Sequence, residues 1–408
     1  MKCRFCKSKI LTNFANLGKT PLSNSFLKKS HLRKKEKTFP LHAYVCNNCL
    51  LVQLKEFKSP KEIFSEYVYF SSFSKSWLEH SKTFSEEMIR KLKLNEKNQI
   101  IEIASNDGYL LQYFKERKIP VLGIEPAKNV AKSAIKKGIP TIIKFFGTKT
   151  AKELVDKGIK ADLIIGNNVL AHVPNLNDFV RGLKFLLKEN GVISLEFPHI
   201  LKLIQKNQFD TIYHEHFSYF SFYTIRKIFS KHQLSIFDVN EISTHGGSLR
   251  IFVKHSKNQK IKTRKSVQNL IKKEKKFKIN KINTYKEFQP KIENIKKNIQ
   301  QFFVNSKKDK IKVVGYGAPA KGNTLLNYCG INKKNLKYTV DVSPHKKGMF
   351  LPGTHIEVKD PKEIKKTKPD YVFILPWNLK DEIIHEHEYI KKWGGKFVIP
   401  IPRVRIIQ

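Results

Sequence analysis

Residues 100–108 read IIEIASNDG, and this stretch limits the fold more than any other. A short apolar run is interrupted by one acid, then gives way to the turn Ser105-Asn106-Asp107-Gly108. Residues 109–118 follow with helical spacing of apolar side chains. The unit then recurs. VLGIEP is a strand that ends in Glu125, DLIIGNNVLAHV is a strand that runs into a loop at residues 167–172, and GVISLEFPH supplies a fourth over residues 191–199. Strands alternating with helices in this way predict a parallel, doubly wound sheet.

Ligands of such sheets lie beyond the carboxyl ends of the strands, and the polar punctuation falls at those ends. Asp107 and Gly108 stand where backbone must approach a ligand closely. Glu125 stands where a carboxylate can accept both hydroxyls of a ribose. The chain has no G-x-G-x-x-G, which disfavours a pyrophosphate site, and an acidic turn repels phosphate. A cation that carries a ribose suits the turn, and S-adenosylmethionine meets that description. The candidate cofactor residues are Glu102, Ala104, Ser105, Asn106, Asp107, Gly108, Glu125, Pro126, Asn167 and Asn168.

Two cysteine pairs, Cys3-x2-Cys6 and Cys46-x2-Cys49, have the spacing of metal knuckles. Together they predict a tetrahedral S4 site, which suits structural zinc with no open position for catalysis. Disulfides are the competing reading, and a cytosolic setting disfavours them. Cys329 stands apart as a buried thiol. The N-terminus, MKCRFCKSKI, has no apolar secretory region, and no apolar run is long enough to span a membrane, so a cytoplasmic location is expected. The formal charge is +43, from 78 Lys+Arg against 35 Asp+Glu. Nucleic acid is one reading of that excess, but lysines spread along the whole chain point as much to compositional bias, and an anionic small substrate fits the sign equally well.

Residues 211–221 read TIYHEHFSYFS. A half-buried aromatic strand, a zinc-binding H-x-H pair and a general base in an aromatic pocket are all compatible with it. The spacing is not H-E-x-x-H, which excludes the helical metalloprotease reading. The aromatic stretch at residues 64–77 is either interdomain packing or a substrate wall that includes Tyr67 and Tyr69. Residues 255–310 place isoleucine, leucine and phenylalanine among lysines at helical spacing, which predicts one or two linking helices with a solvated charged face. After them, KIKVVGYGAPAKGNTLLNYCG restarts a strand, glycine loop and helix. Its Lys321 is the counter-charge to an anion cradled by the loop, or else the loop only packs the domain. Asp341 is the sole candidate for a ribose acid in this second unit, which disfavours a second nucleotide cofactor.

Taken together, CxxC…CxxC, YVYFSSFS, EIASNDGYLL, GIEPAKNVA, NNVLAHV, LEFPH, YHEHFSYFS, GYGAPAKGNTLLNYCG and ILPWNLKDEI resemble the sugar C-methyltransferases over essentially the whole chain. The resemblance implies an α/β protein with a small N-terminal zinc-binding module at residues 1–62. A class I methyltransferase (Rossmann-like) domain follows at 63–254, then a helical linker at 255–310 and a second, C-terminal Rossmann-like α/β domain at 311–408. It implies S-adenosylmethionine and structural Zn2+ as cofactors, a nucleotide-linked keto-deoxysugar as substrate, and methylation at the carbon next to the ketone. His216 is the implied base, with Glu215, Tyr213 and His172 beside the sugar; Tyr67, Tyr69, His199, Lys321 and Asn323 are assigned to substrate. Ala104 stands where the family has glycine, a departure that matters only if the backbone there has positive φ. An RNA or protein methyltransferase that docks through its zinc module and lysines and a non-catalytic sugar-nucleotide-binding protein are the rival readings. A monomer is compatible with domains that bury their own faces.

Overall fold

The computed structural model describes residues 1–64 and 70–408. Strands β1 (Thr12–Thr20), β2 (Phe39–Val45) and β3 (Val52–Leu54) form an antiparallel meander after the first cysteine pair. Buried and half-exposed positions alternate along β2, as a one-sided sheet requires.

The middle of the chain builds β4 (Ile100–Ile103), β5 (Val121–Ile124), β6 (Thr141–Ile142), β7 (Ala161–Asn167) and β8 (Leu187–Pro198). All four β4 residues are buried, as expected of a strand covered on both faces. Strand β9 (Ser218–Tyr219) follows but does not join this sheet. It pairs instead with β3, Val52 opposite Tyr219 and Gln53 opposite Ser218, and so completes the first sheet from the middle of the chain. Strands β10 (Leu234–Ile242) and β11 (Ser248–His255) close the middle sheet in the order β10-β11-β8-β7-β4-β5-β6. Strands β4 to β8 are parallel within it, and β11 runs antiparallel to β8. The strand order reverses about β4, so the carboxyl ends of β4, β5 and β7 meet at the switch point.

The lysine-rich stretch forms helices Lys265–Lys276, Ile282–Lys286 and Phe288–Lys308, one more than the one or two expected. The long helix buries Phe288, Ile292, Ile295, Ile299 and Phe303, one stripe at helical spacing, and leaves its lysines outward. Each such side chain contributes roughly 1.5–3 kcal/mol on burial. The last sheet comprises β12 (Val313–Tyr316), β13 (Thr339–Val340), β14 (Val358–Lys359), β15 (Tyr371–Ile374), β16 (Lys396–Ile399) and β17 (Arg405–Ile407), ordered β14-β13-β12-β15-β16-β17. It is parallel except at β17, the second doubly wound unit expected from the sequence. Phe14 of β1 stacks on Phe288, ring centroids 4.7 Å apart, so one apolar core runs from the first sheet through the long helix into the last sheet. Among the described residues no helix is long and apolar enough to cross a membrane.

Candidate active site

The cysteine pairs lie at the end of the first sheet that faces the middle domain. Their four sulfur atoms sit within 4.8 Å of one another, with Cys3–Cys49 and Cys6–Cys46 both at 3.5 Å. That is far beyond a disulfide bond. It approaches the roughly 3.8 Å edge that Zn–S bonds of about 2.3 Å impose on a tetrahedron. The donor set therefore fits zinc. It is the sole metal-type cluster among the described residues, so the H-x-H pair at His214 and His216 forms none. Cys329 is buried, as expected, and burial pushes its thiol up to about 12.

At the switch point the acidic turn leaves β4 with unusual backbone. Ala104 has φ 57°, Asn106 φ 50° and Gly108 φ 77°. A Cβ at Gly108 would lie 2.9 Å from Ile139 Cγ1, which together with its positive φ accounts for glycine there. Ala104 therefore occupies the left-handed region, where the alanine in place of the family's glycine is strained. We expect Ala104→Gly to stabilise the protein by about 0.5–1 kcal/mol, because the strain relieved exceeds the entropy gained by the unfolded chain. A lower midpoint in denaturant for this variant would refute the expectation.

The turn is internally braced. Glu125 accepts from Asn106 N at 2.9 Å and from Ala127 N at 2.8 Å, while burial pushes its carboxyl up to about 7. Ser71 N donates to Asn106 Oδ1 at 2.9 Å, Ser72 Oγ donates to Asp107 Oδ2, and Lys137 Nζ lies 3.1 Å from the same oxygen. Glu102, fully buried beneath the turn, is held well above the usual carboxylate range by burial. Pro126 sits between Glu125 and Ala127. Ser105 Oγ, Asp107 Oδ1 and both polar atoms of the Asn167 side chain are buried without a partner among the described residues. These orphaned donors and acceptors at the strand ends fit a polar, cationic cofactor with a ribose.

Beyond β7 the chain turns through Asn168 to His172, which meets the segment 213–216. His172 Nδ1 donates to Glu215 O at 2.9 Å, and the rings of His172 and His216 are 4.8 Å apart, edge to face. His216 Nδ1 donates to Thr211 O at 3.0 Å. This fixes the tautomer that leaves a lone pair on Nε2, which accepts from Tyr213 Oη at 2.7 Å. Burial holds both histidines below their usual range, His172 down to about 4 and His216 well below the ordinary histidine value, with the neighbouring His172 a further cause for His216. Both are neutral at pH 7. Glu215 is 5% exposed, and burial pushes its carboxyl up to about 7 against a hydrogen bond from Asn24. The four residues expected around the sugar thus form one cluster.

The remaining substrate assignments divide. Lys321 lies near the same cluster. Its ammonium donates to Asn378 Oδ1, lies 4.7 Å from the Trp377 ring centre, and acts electrostatically on His216. Burial brings its pKa down to about 8, opposed by Asp210. His199 is 1% exposed; its Nε2 lies 2.6 Å from Glu274 Oε1, while its Nδ1 is buried without a partner among the described residues. Glu274 also accepts from Phe222 N and Tyr223 N at the start of helix Phe222–Lys231, which ties His199 Nε2 to that helix start. Asn323 is likewise buried and donates to Ser23 O at 2.5 Å, an interdomain tie. Tyr67 and Tyr69 lie outside the described residues. Asp341 accepts from Ala318 N in the glycine loop after β12 at 2.8 Å and meets Lys346 Nζ at 3.2 Å.

Sequence reasoning missed His245. It is exposed, has φ 55°, and is followed by Gly246 at φ 92° and Gly247 at φ 127°. Its Nε2 accepts from Asn168 Nδ2 at 2.9 Å, and its ring lies 5.6 Å from Trp77. A Cβ on Gly246 would lie 2.6 Å from Trp377 Cη2, so the last domain packs closely on this turn. Beside it, Glu196 accepts from Arg250 Nε at 2.6 Å and lies 3.0 Å from His80 Nε2. The signal available was the dipeptide Gly246-Gly247 after a polar residue, a turn marker.

Comparison with known proteins agrees with this geometry. A family model for a C-methyltransferase C-terminal domain matches residues 243–402, one for a methyltransferase domain matches 77–239, and one for a zinc binding domain matches 3–64. The C-methyltransferase NovU of Streptomyces niveus is 32% identical over 406 residues, covering 100% of this chain and 96% of that one. Among solved structures, the PH0226 protein of Pyrococcus horikoshii OT3 has a TM-score of 0.37 at 13% identity, over 49% of this chain and 99% of that one. Magnesium protoporphyrin IX methyltransferase of Synechocystis PCC 6803 has a TM-score of 0.33 at 16% identity, over 43% and 78%.

Proposed function

We propose, for a chain that belongs to the S-adenosylmethionine-dependent C-methyltransferase family, that its substrate is a nucleotide-linked keto-deoxysugar methylated at the carbon beside the ketone. The observation that supports this most is the His216 imidazole, neutral, tautomerically fixed and capped by the Tyr213 hydroxyl at 2.7 Å. A sugar carbon becomes nucleophilic only when a neighbouring carbonyl lets it lose a proton, so such a reaction needs a base and an oxygen-directed donor side by side.

The chain's residues divide the work as follows. The α-C–H of the sugar takes the place of the Tyr213 hydroxyl at His216 Nε2. The C–H bond breaks, its electrons pass to the ketone oxygen, and the proton stays on Nε2. The Tyr213 hydroxyl, freed from the imidazole, donates to the developing enolate oxygen. The Thr211 carbonyl stabilises the imidazolium through Nδ1–H. The walls around Tyr213, Phe217 and Tyr219 keep water from the enolate. S-adenosylmethionine, when bound, supplies an electrophilic methyl carbon on sulfonium. Glu102, Ser105, Asn106, Asp107, Glu125 and Asn167 would hold it, and Lys321 draws the anionic part of the substrate into the cleft.

Turnover with ¹³C-methyl-labelled cofactor and a nucleotide-linked keto-deoxysugar should give a carbon-bonded methyl resonance on the sugar. A methyl on oxygen or nitrogen, or none, would exclude the proposed reaction.

A further inference from the structure

We propose that the zinc-binding module completes the catalytic site through Asn24, a positioning residue that holds the Glu215 carboxylate. This rests on the reading of residues 213–216 as the sugar site. Asn24 lies in the irregular connection between β1 and β2, and its Nδ2 donates to Glu215 Oε1 at 2.7 Å. Among the described residues this is the one side-chain hydrogen bond recorded to that carboxylate. The connection is held from outside its own sheet. Ser23 O accepts from Asn323 Nδ2 at 2.5 Å, Leu27 and Phe350 exchange backbone hydrogen bonds at 2.9 and 2.8 Å, and Glu36 accepts from Gly353 N at 3.0 Å and meets His355 Nε2 at 2.6 Å. A loop tied at three points along the last domain presents its amide with little freedom left to lose.

The choice of an amide has chemical content. A lysine in this place would pin Glu215 as a fixed anion, whereas an amide N–H favours the carboxylate without neutralising it. The titratable groups around Glu215 are His172, bonded to its carbonyl, and the adjacent His214 and His216, all held neutral by burial. Burial pushes the Glu215 carboxyl up to about 7 against the opposing pull of the Asn24 bond. Glu215 is therefore poised to change charge near neutral pH, with Asn24 setting the balance.

The test uses the full chain with ¹³C-carboxyl glutamate, Glu215→Gln identifying the resonance. The wild-type midpoint is expected near 7. Asn24→Ala should raise it by about one pH unit, and Asn24→Asp, which sets a like charge opposite, should raise it further. Unchanged midpoints in both variants overturn the proposal. With sugar substrate, Asn24→Ala should lower kcat about tenfold while S-adenosylmethionine affinity stays constant, and should have no added effect in a Glu215→Gln background. A further tenfold loss in that background, or lost cofactor affinity in Asn24→Ala, assigns Asn24 a merely structural role and overturns the proposal. The carboxyl titration needs no sugar, so it succeeds or fails independently of the substrate assignment.

Discussion

Replacing His216 with asparagine is expected to abolish both methyl transfer and solvent-deuterium exchange at the sugar α-carbon. Loss of a single general base costs about 10²–10⁴ in rate. Asparagine keeps a polar group near Thr211 O and Tyr213 Oη but has no basic nitrogen at the Nε2 position. Exchange is the sharper measurement, because it reports proton abstraction without requiring the methyl step. Retained exchange in His216→Asn would remove this imidazole from the role of base. The wild-type pH profile carries a related expectation. Burial keeps the His216 pKa below its usual range, so the neutral base is fully present at pH 7, and its loss by protonation falls on the acid side of the ordinary histidine range.

The second large effect concerns the metal. Removing zinc, or Cys46→Ser, is expected to unfold the first sheet. Structural S4 zinc contributes roughly 10–16 kcal/mol in small peptides, comparable with the whole stability of an ordinary domain, about 5–15 kcal/mol. The damage should reach the catalytic segment. Gln53 bonds Cys3 Sγ at 3.4 Å and lies on β3, Leu54 N donates to Phe217 O at 3.1 Å, and Thr224 Oγ1 donates to Cys49 O at 3.0 Å. Hydrogen exchange should therefore show lost protection at residues 52–54 and 218–219 together, while S-adenosylmethionine affinity stays within about threefold, since β4, β5 and β7 lie in a separate sheet. Full protection of 218–219 after complete zinc release would sink this prediction.

What was legible in the sequence and what was not follows from the range of the forces involved. The turn after β4, the acid after β5 and the asparagines after β7 are written locally, as apolar runs ending in polar punctuation, and they stand where such punctuation must stand in a doubly wound sheet. The knuckle spacing is local too, and the cluster Tyr213, Glu215 and His216 is contiguous. The pairing of β3 with β9 was hidden because it joins two very short strands far apart in the chain. The bond between His199 and Glu274 was hidden for the same reason: Glu274 lies 75 residues away in a stretch that reads as a charged helix face. His245 was missed because what brings it beside the site, its bond to Asn168 and the packing of Trp377 on Gly246, joins residues far apart in the chain that no local pattern encodes.

Strand β9 is borrowed: the first sheet is finished by a piece of chain that belongs, by sequence order, to the methyltransferase domain. The N-terminal region is therefore not a detachable cassette. An engineer who transplants residues 1–62 onto a related enzyme must carry 217–219 with them, or leave the hybrid with a raw sheet edge and a loosened base. Shuffling within such a family should succeed only where both halves of that seam come from one parent.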